Sequence, residues 1–256
     1  MAKKIMLLAG KSPSSVYLFN CLSKDFFIAS VVVEKGVKRS RFLSARARKL
    51  GVPRVLGQIL FQALIVPWLR RISRRRIAVL SRTFGFSDTP IPEEITLRVE
   101  SVNGRACIDH IRAVRPDLIL ISGTRILKRE LLECTDAVFV NIHTGITPAY
   151  RGVHGGYWAL ANNDPGNCGV TVHEVDPGID TGRILAQKRI TPTVADNFVT
   201  YPYLQLGEGI GLLKIIIAHS PDASGSDNPR QGMKSKLWYH PTIWYYLNTR
   251  MKKGVK

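Results

Sequence analysis

Two polar side chains stand two residues apart at the end of an apolar stretch in the second half of the chain. The stretch reads DAVFVNIH, and the two residues are Asn141 and His143. Residues i and i+2 of an extended strand point to the same side, so these side chains project together near the end of a predicted strand. A neutral imidazole accepts a proton near pH 7, and an amide N–H can donate to a developing oxyanion. The ordinary alternative is a histidine whose ring is simply satisfied at the strand end.

A third polar group is needed to orient this pair, and a later loop supplies two candidates. The segment HEVDPGIDTGRIL carries Asp176 and Asp180 between two predicted strands. A carboxylate next to an imidazole favours the protonated ring and raises its pKa. The residues alone leave open which aspartate takes this position.

Alternating strands and helices must position these residues, and their pattern predicts the fold. Continuously apolar strands such as KKIMLLAG, FIASVVVEK, DLILIS and DAVFVNIH are typical of a parallel sheet that is covered on both faces. GVTVHEVD and RILAQKRI are predicted to be two further strands, antiparallel to each other. We therefore predict an α/β fold with a mostly parallel, Rossmann-like sheet flanked by helices, in which ligands bind at the carboxyl ends of the strands.

The turn after the first strand is a candidate substrate site. It contains Gly10, Ser12, Ser14 and Ser15. Free N–H groups at the start of the following helix could hold a phosphate there. The alternative is a strand-to-helix turn with serine caps.

The formal net charge of the chain is +18, and much of it is concentrated in one segment. Between Lys35 and Arg82 there are fourteen Lys or Arg residues and no Asp or Glu. Such an excess predicts an anionic partner, which could be a nucleotide phosphate, a nucleic acid or an acidic lipid.

Within this basic segment, an apolar run from Leu56 to Leu69 precedes a cluster of arginines. The run itself is shorter than the roughly 20 residues that span a bilayer. Two interpretations stay open for residues 56–76: a helix in the membrane interface with its arginines at the lipid headgroups, or a helix that packs on the sheet. We treat residues 54–82 as a basic helical insertion. The arginines are Arg70, Arg71, Arg74, Arg75 and Arg76.

The cysteines and the first residues bear on the compartment. Cys21, Cys107, Cys134 and Cys168 show no metal-binding spacing, so we expect no metal and four thiols in a reducing cytoplasm. The start MAKKIMLLAG does not have the pattern of a secretory signal. We expect a cytoplasmic protein, and membrane association through residues 56–76 stays open.

The run that begins at Asn141 resembles a known family. NIHTGITPAYRG, then WAL, then GVTVHEVDPGIDTGRILAQ resemble the folate-dependent formyltransferases. This family includes glycinamide ribonucleotide formyltransferase, the catalytic domain of methionyl-tRNA formyltransferase and the amino-sugar N-formyltransferases. Its pattern is Asn-x-His-x-x-x-x-Pro-x-Tyr-Arg-Gly, then Gly-x-Thr, then Asp-x-Gly, and all three blocks occur here in that order. The resemblance covers residues 116–190 well and the first strands loosely.

The resemblance implies a role for each matched residue. Asn141, His143 and Asp180 would form the catalytic trio, with 10-formyltetrahydrofolate as co-substrate and without a metal. The folate pterin would lie against a backbone segment formed by Gly123, Thr124, Arg125, Ile126 and Leu127. A second loop would close its other side, and that loop is formed by Val175, Asp176, Pro177, Gly178 and Ile179. With the serine turn included, the candidate substrate-binding residues are Gly10, Ser12, Ser14, Ser15, Tyr150, Arg151, Gly152 and His173. His173 matches a histidine of the glycinamide enzymes, where it would support the trio.

The same resemblance implies an enzyme, a folate-dependent N-formyltransferase that acts on a primary amine. The first candidate acceptor is an amino sugar carried on a nucleotide, as in polysaccharide biosynthesis. The alternatives are a lipid-linked amino sugar at the membrane surface and an aminoacyl-tRNA. The segment after Ile190 does not provide the β-barrel domain of the tRNA enzymes, so nucleic acid is not expected as a partner. A formyltetrahydrofolate hydrolase and a non-catalytic folate- or membrane-binding protein stay open as other classes.

The predicted organisation is a formyltransferase-like catalytic domain over residues 1–219, followed by a loop and an aromatic, basic tail over residues 220–256. The oligomeric state, including a homodimer, is left open. One departure from the family concerns residues 144–148, which read TGITP where the family often has Ser-Leu-Leu-Pro. The loop has lost bulk, which predicts a different acceptor pocket.

Overall fold

The computed structural model describes residues 3–36, 46–219 and 234–256. The strands of this part are β1 (Ile5–Gly10), β2 (Ile28–Glu34), β3 (Thr96–Val99), β4 (Leu118–Ser122), β5 (Val138–His143), β6 (Arg151–Gly152), β7 (Gly169–Glu174), β8 (Ile184–Arg189) and β9 (Leu237–Trp238). The helices are α1 (Pro13–Leu22), α2 (Val52–Ile72), α3 (Arg74–Phe84), α4 (Arg105–Val114), α5 (Arg129–Leu132), α6 (Gly155–Ala161), α7 (Tyr201–His219) and α8 (Ile243–Lys253), and residues 46–50 are also helical.

Seven of the strands form one sheet in the order β3-β2-β1-β4-β5-β7-β8. The first five are parallel, whereas β7 is antiparallel to both β5 and β8. The predicted α/β fold with a mostly parallel sheet is therefore confirmed, as is the antiparallel pairing of its last two strands.

The apolar core lies on both faces of this sheet. Alternate residues of β1 enter different clusters: Ile5 and Leu7 pack with residues of α1 and α7, while Met6 and Leu8 pack with Ile111 of α4. All six residues of β1 are buried. This double coverage is why the strand is continuously apolar, without the alternation of a half-exposed strand.

The predicted insertion forms the helices α2 and α3. Among the described residues, α2 is long and apolar enough to cross a membrane by length and composition alone. The apolar run from Leu56 to Leu69 is itself shorter than a bilayer span, but the helix that contains it extends beyond the run at both ends. One side of α2 packs on the protein, however, since Phe61 and Leu69 are fully buried in a cluster with Phe198 and Tyr246.

A polar contact fixes the junction between α2 and α3. Arg76 donates from Nε and Nη2 to the two carboxylate oxygens of Asp196, each at 2.8 Å. The Asp196 carboxylate is fully buried, and Asn197 Nδ2 donates to Ser73 Oγ at 2.7 Å. The insertion is therefore held against the segment that leads into α7.

The C-terminal segment is also built into the fold. β9 pairs in parallel with β6, and Trp238 Nε1 donates to the Ala149 carbonyl at 3.0 Å. The α8 helix that follows packs against α2, and its Tyr246 side chain is buried. Part of the predicted loop, residues 220–233, lies outside the described residues.

Candidate active site

The end of β5 places the first two predicted catalytic residues. β5 lies between β4 and β7, and its register sets Asn141 opposite His173 and His143 opposite Thr171. Because β4 and β5 are parallel, their carboxyl ends meet at one edge of the sheet, where open α/β folds bind ligands.

The His143 imidazole is buried between two acceptors. Its Nε2 lies 2.7 Å from the Tyr150 carbonyl oxygen, and its Nδ1 lies 3.3 Å from Asp180 Oδ2. A carbonyl and a carboxylate both accept hydrogen bonds, so this arrangement favours the protonated ring. Burial acts in the opposite direction and lowers the pKa of His143, and the Asp180 charge partly offsets that effect.

Asp180, and not Asp176, is the aspartate that reaches the histidine. Its Oδ2 also accepts from the Gly152 N–H at 2.8 Å, and its backbone has a φ of +52°. Burial alone would raise the pKa of this carboxyl, but His143, His173 and the Gly152 N–H lower it to about 2. Asp176 instead accepts from Gly178 N and Thr181 Oγ1 within its own loop.

His173 completes the polar cluster. Its Nδ1 lies 2.6 Å from the Glu174 carbonyl oxygen, which requires Nδ1 to be the donor. Its Nε2 lies 3.2 Å from Asn141 Nδ2 and 3.7 Å from Asp180 Oδ1. His173 therefore contacts two members of the predicted trio, as expected of a supporting residue.

The Tyr-Arg-Gly segment braces the site in ways that the sequence does not reveal. Tyr150 is buried, and its hydroxyl donates to Asp164 at 2.8 Å, so its assignment as a substrate contact is corrected. Gly152 uses its N–H on Asp180, and an added Cβ there would lie 2.3 Å from the Trp238 carbonyl oxygen. Arg151 donates from Nη1 to the Ile179 carbonyl, while its buried Nε has no partner among the described residues.

The serine turn lines a cleft of about 380 Å³ between β1, β2 and β3. Ser12 faces this cleft along with Lys11 and Arg98. Ser15 is buried and donates to the Ser122 carbonyl at 3.0 Å, so its hydroxyl is structural and that prediction is corrected. The other two predicted residues are also engaged: Ser14 Oγ bonds to Ser12 Oγ, and Gly10 packs directly on the Gly123 carbonyl.

The first segment predicted to hold the folate is tied down by its own contacts. Arg125 donates from its backbone N and from Nε to the buried Glu34 carboxylate, each at 2.6 Å, so its charge is directed away from a ligand. The Ile126 carbonyl accepts from Asn103 Nδ2 at 2.9 Å. Of the remaining residues, Leu127 is buried, while Gly123 and Thr124 form the turn after β4.

The exposed side chains of the two folate segments suit a flat ring. Ile126 is 59% exposed on the first segment, and Ile179 is 36% exposed on the second. If a heteroaromatic ring binds against these side chains, their apolar surface is removed from water, which favours binding. In the second segment, Val175 donates to the Phe139 carbonyl, and Pro177 and Gly178 are exposed. Each segment thus presents an exposed apolar side chain of the kind that could contact the pterin that the resemblance implies.

The described residues contain no group of three or more His, Cys, Asp or Glu side chains arranged to hold a metal ion. The four cysteines are free thiols; Cys21, Cys107 and Cys168 are buried.

Residues 81–201 match the formyl transferase family model. This match confirms the predicted formyltransferase resemblance. The matched segment contains β5, the Asp180 loop and β7, and it begins after α2. The apolar helix therefore lies outside the segment that the family model matches.

Similar proteins extend the comparison with formyltransferases. A methionyl-tRNA formyltransferase from Thermodesulfovibrio yellowstonii is 36% identical over 94 residues, 36% of this chain and 30% of the relative. One from Trichlorobacter lovleyi is 40% identical over 91 residues, 35% of this chain and 28% of the relative. The chain thus spans less than a third of the length of these curated relatives.

Solved structures agree with the fold. Phosphoribosylglycinamide formyltransferase from Streptococcus pneumoniae superposes with a TM-score of 0.52 at 21% identity, covering 84% of this chain and 97% of that one. A sugar N-formyltransferase from a Shewanella species superposes with a TM-score of 0.50 at 16% identity, covering 92% of this chain and 74% of that one. At these identities the likeness shows the shared fold.

Proposed function

We propose that this protein is an enzyme that transfers the formyl group of 10-formyltetrahydrofolate to the primary amine of an amino sugar. The observation that carries this proposal is the buried contact of His143 with Asp180 at 3.3 Å, beside Asn141 at the end of β5. The formyltransferase match over residues 81–201 supports the reaction class.

The formyl donor supplies a carbonyl carbon whose oxygen gains negative charge as the amine attacks it. Asn141 Nδ2 is one donor that can stabilise this charge in a site screened from water, and the His143 Nε2–H, which contacts the Tyr150 carbonyl in this structure, is the second candidate. Asp180 contacts the ring Nδ1 and favours its protonated form. The attack forms the new C–N bond first. As the oxyanion then collapses to a carbonyl, the bond to the folate nitrogen breaks and the amine proton passes to that nitrogen.

Removing either donor or the aspartate should abolish most turnover while the fold is kept. For Asn141→Ala and His143→Ala we expect kcat to fall about 10²- to 10³-fold, because one oxyanion donor is worth about 3–4 kcal/mol of barrier. Asp180→Ala should act through the orientation of His143. Formyl transfer rates and circular dichroism measure the two effects, and His219→Ala, which changes an exposed histidine of α7, is the control. Near-normal kcat in His143→Ala would overturn the assignment.

A nucleotide-linked amino sugar is the first candidate acceptor. The cleft beside Ser12 carries the side chain of Lys11, which can contact a phosphate group, whereas Arg98 in the same cleft is paired with Glu93. The structural neighbour from Shewanella is named a sugar N-formyltransferase, which supports a small amine of this kind.

A lipid-linked amino sugar is the second candidate acceptor. It is favoured by the apolar side chains that α2 leaves exposed beside a row of arginines. An enzyme that uses an acceptor in the membrane works at the bilayer surface, where apolar side chains can enter the lipid and arginines can contact the headgroups.

The deciding experiment supplies the purified protein with 10-formyltetrahydrofolate and a bacterial small-molecule extract. The extract is divided into aqueous nucleotides and detergent-dispersed lipids, and mass spectrometry locates the formylated product. A formylated nucleotide sugar supports the first acceptor, and a formylated glycolipid supports the second. Folate turnover without any formylated amine would point to a formyltetrahydrofolate hydrolase and overturn the proposal.

A further inference from the structure

Two helices expose an apolar surface that nothing in the described residues covers. We call it the docking surface and define it by six side chains that are 42–78% exposed. They are Leu56, Leu64 and Trp68 of α2, and Trp244, Leu247 and Met251 of α8. On α8 these residues are spaced by three and four positions, so they share one face of the helix.

Close contacts make the two helices one continuous surface. The Trp244 ring lies directly on Gly57 of α2, where an added Cβ would come within 2.4 Å of two ring atoms. At the other end, the Arg250 guanidinium lies over the Trp68 ring, 5.1 Å from its centroid. The exposed side chains of α2 and α8 therefore face the same environment.

The opposite side of α2 packs against the rest of the protein. Phe61 and Leu69 are fully buried, and Val66 is 6% exposed. Phe61 packs edge-on against Phe198, with ring centroids 4.8 Å apart. A helix with one side in the protein core cannot be surrounded by lipid, so α2 in this structure lies along the surface of the protein.

Basic residues border the docking surface. The exposed side chains at the C-terminal end of α2 and the start of α3 include Arg70, Arg71, Arg74 and Arg75, and α8 ends with exposed lysines. Neither residues 35–82 nor residues 234–256 contain an Asp or Glu. The charged side chains that these two segments contribute are therefore all basic.

We propose that the docking surface binds the face of an anionic phospholipid bilayer. Apolar side chains would enter the boundary between headgroups and acyl chains, and the arginines would contact the lipid phosphates. A second copy of the chain would bring like charges together, and a nucleic acid would leave the apolar centre unburied. An anionic bilayer surface, with its apolar interior beneath the headgroups, satisfies both parts.

A chain of contacts links α2 to the loop that holds Asp180. Gln58 of α2 donates to the His240 carbonyl at 2.7 Å, and the His240 ring lies 4.9 Å from the His154 ring. His154 follows Gly152, whose N–H holds Asp180, by two residues. Resting on the proposed function, this connection favours an amino sugar presented from the bilayer as the acceptor.

The test is co-sedimentation of the full chain with vesicles, with no folate or acceptor present. We expect binding to phosphatidylglycerol vesicles that weakens as salt rises, and little binding to phosphatidylcholine vesicles. Leu64→Glu with Trp68→Glu should weaken binding about tenfold or more, because two apolar side chains that would be buried in the bilayer are replaced by charged ones. The matched control is Ile215→Glu on α7, since Ile215 and Leu64 are both 58% exposed.

A second variant keeps the apolar side chains and removes charge. Arg70→Gln with Arg71→Gln should reduce both the affinity and its dependence on salt. Equal binding by the double glutamate variant and by Ile215→Glu would overturn the proposal, as would no wild-type binding to either vesicle at low salt. Formyl transfer to a water-soluble amine is measured separately, so failure of docking and failure of the proposed chemistry are distinguishable.

Discussion

At the scale of single residues, the candidate site depends on two opposing effects on the pKa of the His143 imidazole. Burial lowers the pKa of His143, and the Asp180 carboxylate favours the charged ring. The pKa of Asp180 itself is lowered to about 2 from 3.8, so this group is ionised throughout the neutral range. Its contribution to stability is complete above pH 3.8 and is lost as the pH falls toward 2.

This competition gives a titration prediction. In Asp180→Asn the effect that raises the pKa of His143 is removed while burial stays, so the midpoint of His143 should move to lower pH than in the wild type. NMR of histidine-labelled protein measures both midpoints, with His143→Gln used to assign the signal. A midpoint that does not change, or that rises, would show that the carboxylate does not act on the ring.

The sequence predicted that Asn141 and His143 lie on the same side of their strand, but it did not predict every contact at the site. Asn141 and His143 follow from the period of a strand, and the family pattern selected Asp180 over Asp176. The donor to Asp180 from Gly152 and the contact of His173 with Asn141 depend on how distant segments meet. No local pattern encodes such contacts. The catalytic roles of the trio stay predictions until turnover is measured.

At the scale of elements, the insertion was predicted as helical, but its attachment was not. The residues of α2 suggest either packing or membrane contact, and the structure shows that one side packs while the other is exposed. The Arg76 pair with Asp196 spans 120 positions of sequence. Nothing near either residue marks it as one of a pair, because the four neighbouring arginines of the cluster look the same in the sequence.

We expect Arg76→Ala to destabilise the protein by about 3–5 kcal/mol, because it leaves the buried Asp196 carboxylate without its guanidinium. Denaturant unfolding measures the change in free energy. Arg75→Ala is the matched control, since Arg75 is exposed and its loss should cost no more than about 0.5 kcal/mol. Equal stability of the two variants would mean that the pair does not hold the insertion.

At the scale of the whole molecule, the C-terminal segment supports the candidate site. Trp238 stacks on Trp158 with ring centroids 4.5 Å apart, and on Tyr150 at 5.8 Å. Its strand pairs with Gly152, whose N–H holds Asp180. A tail predicted from sequence as a separate part is thus continuous with the loop that holds the aspartate.

Trp238→Ala should therefore affect both stability and turnover. We expect a loss of about 3 kcal/mol, at the lower end of the range for removal of a packed tryptophan because Trp238 is only half-buried. The formyl transfer rate should also fall. Trp244→Ala is the comparison: 51% of Trp244 is exposed, so transfer to a water-soluble amine should persist. Unchanged kcat in Trp238→Ala would show that the C-terminal segment does not support the candidate site.

The pairing of β9 with β6 also sets an order of events during synthesis. The ribosome makes Asn141, His143 and Asp180 well before Trp238, so the nascent chain carries the trio while the strand that braces Gly152 is still absent. We expect the aspartate loop to stay loosely held until residue 238 has left the exit tunnel. The enzyme would then become competent late in translation, after its central sheet has formed.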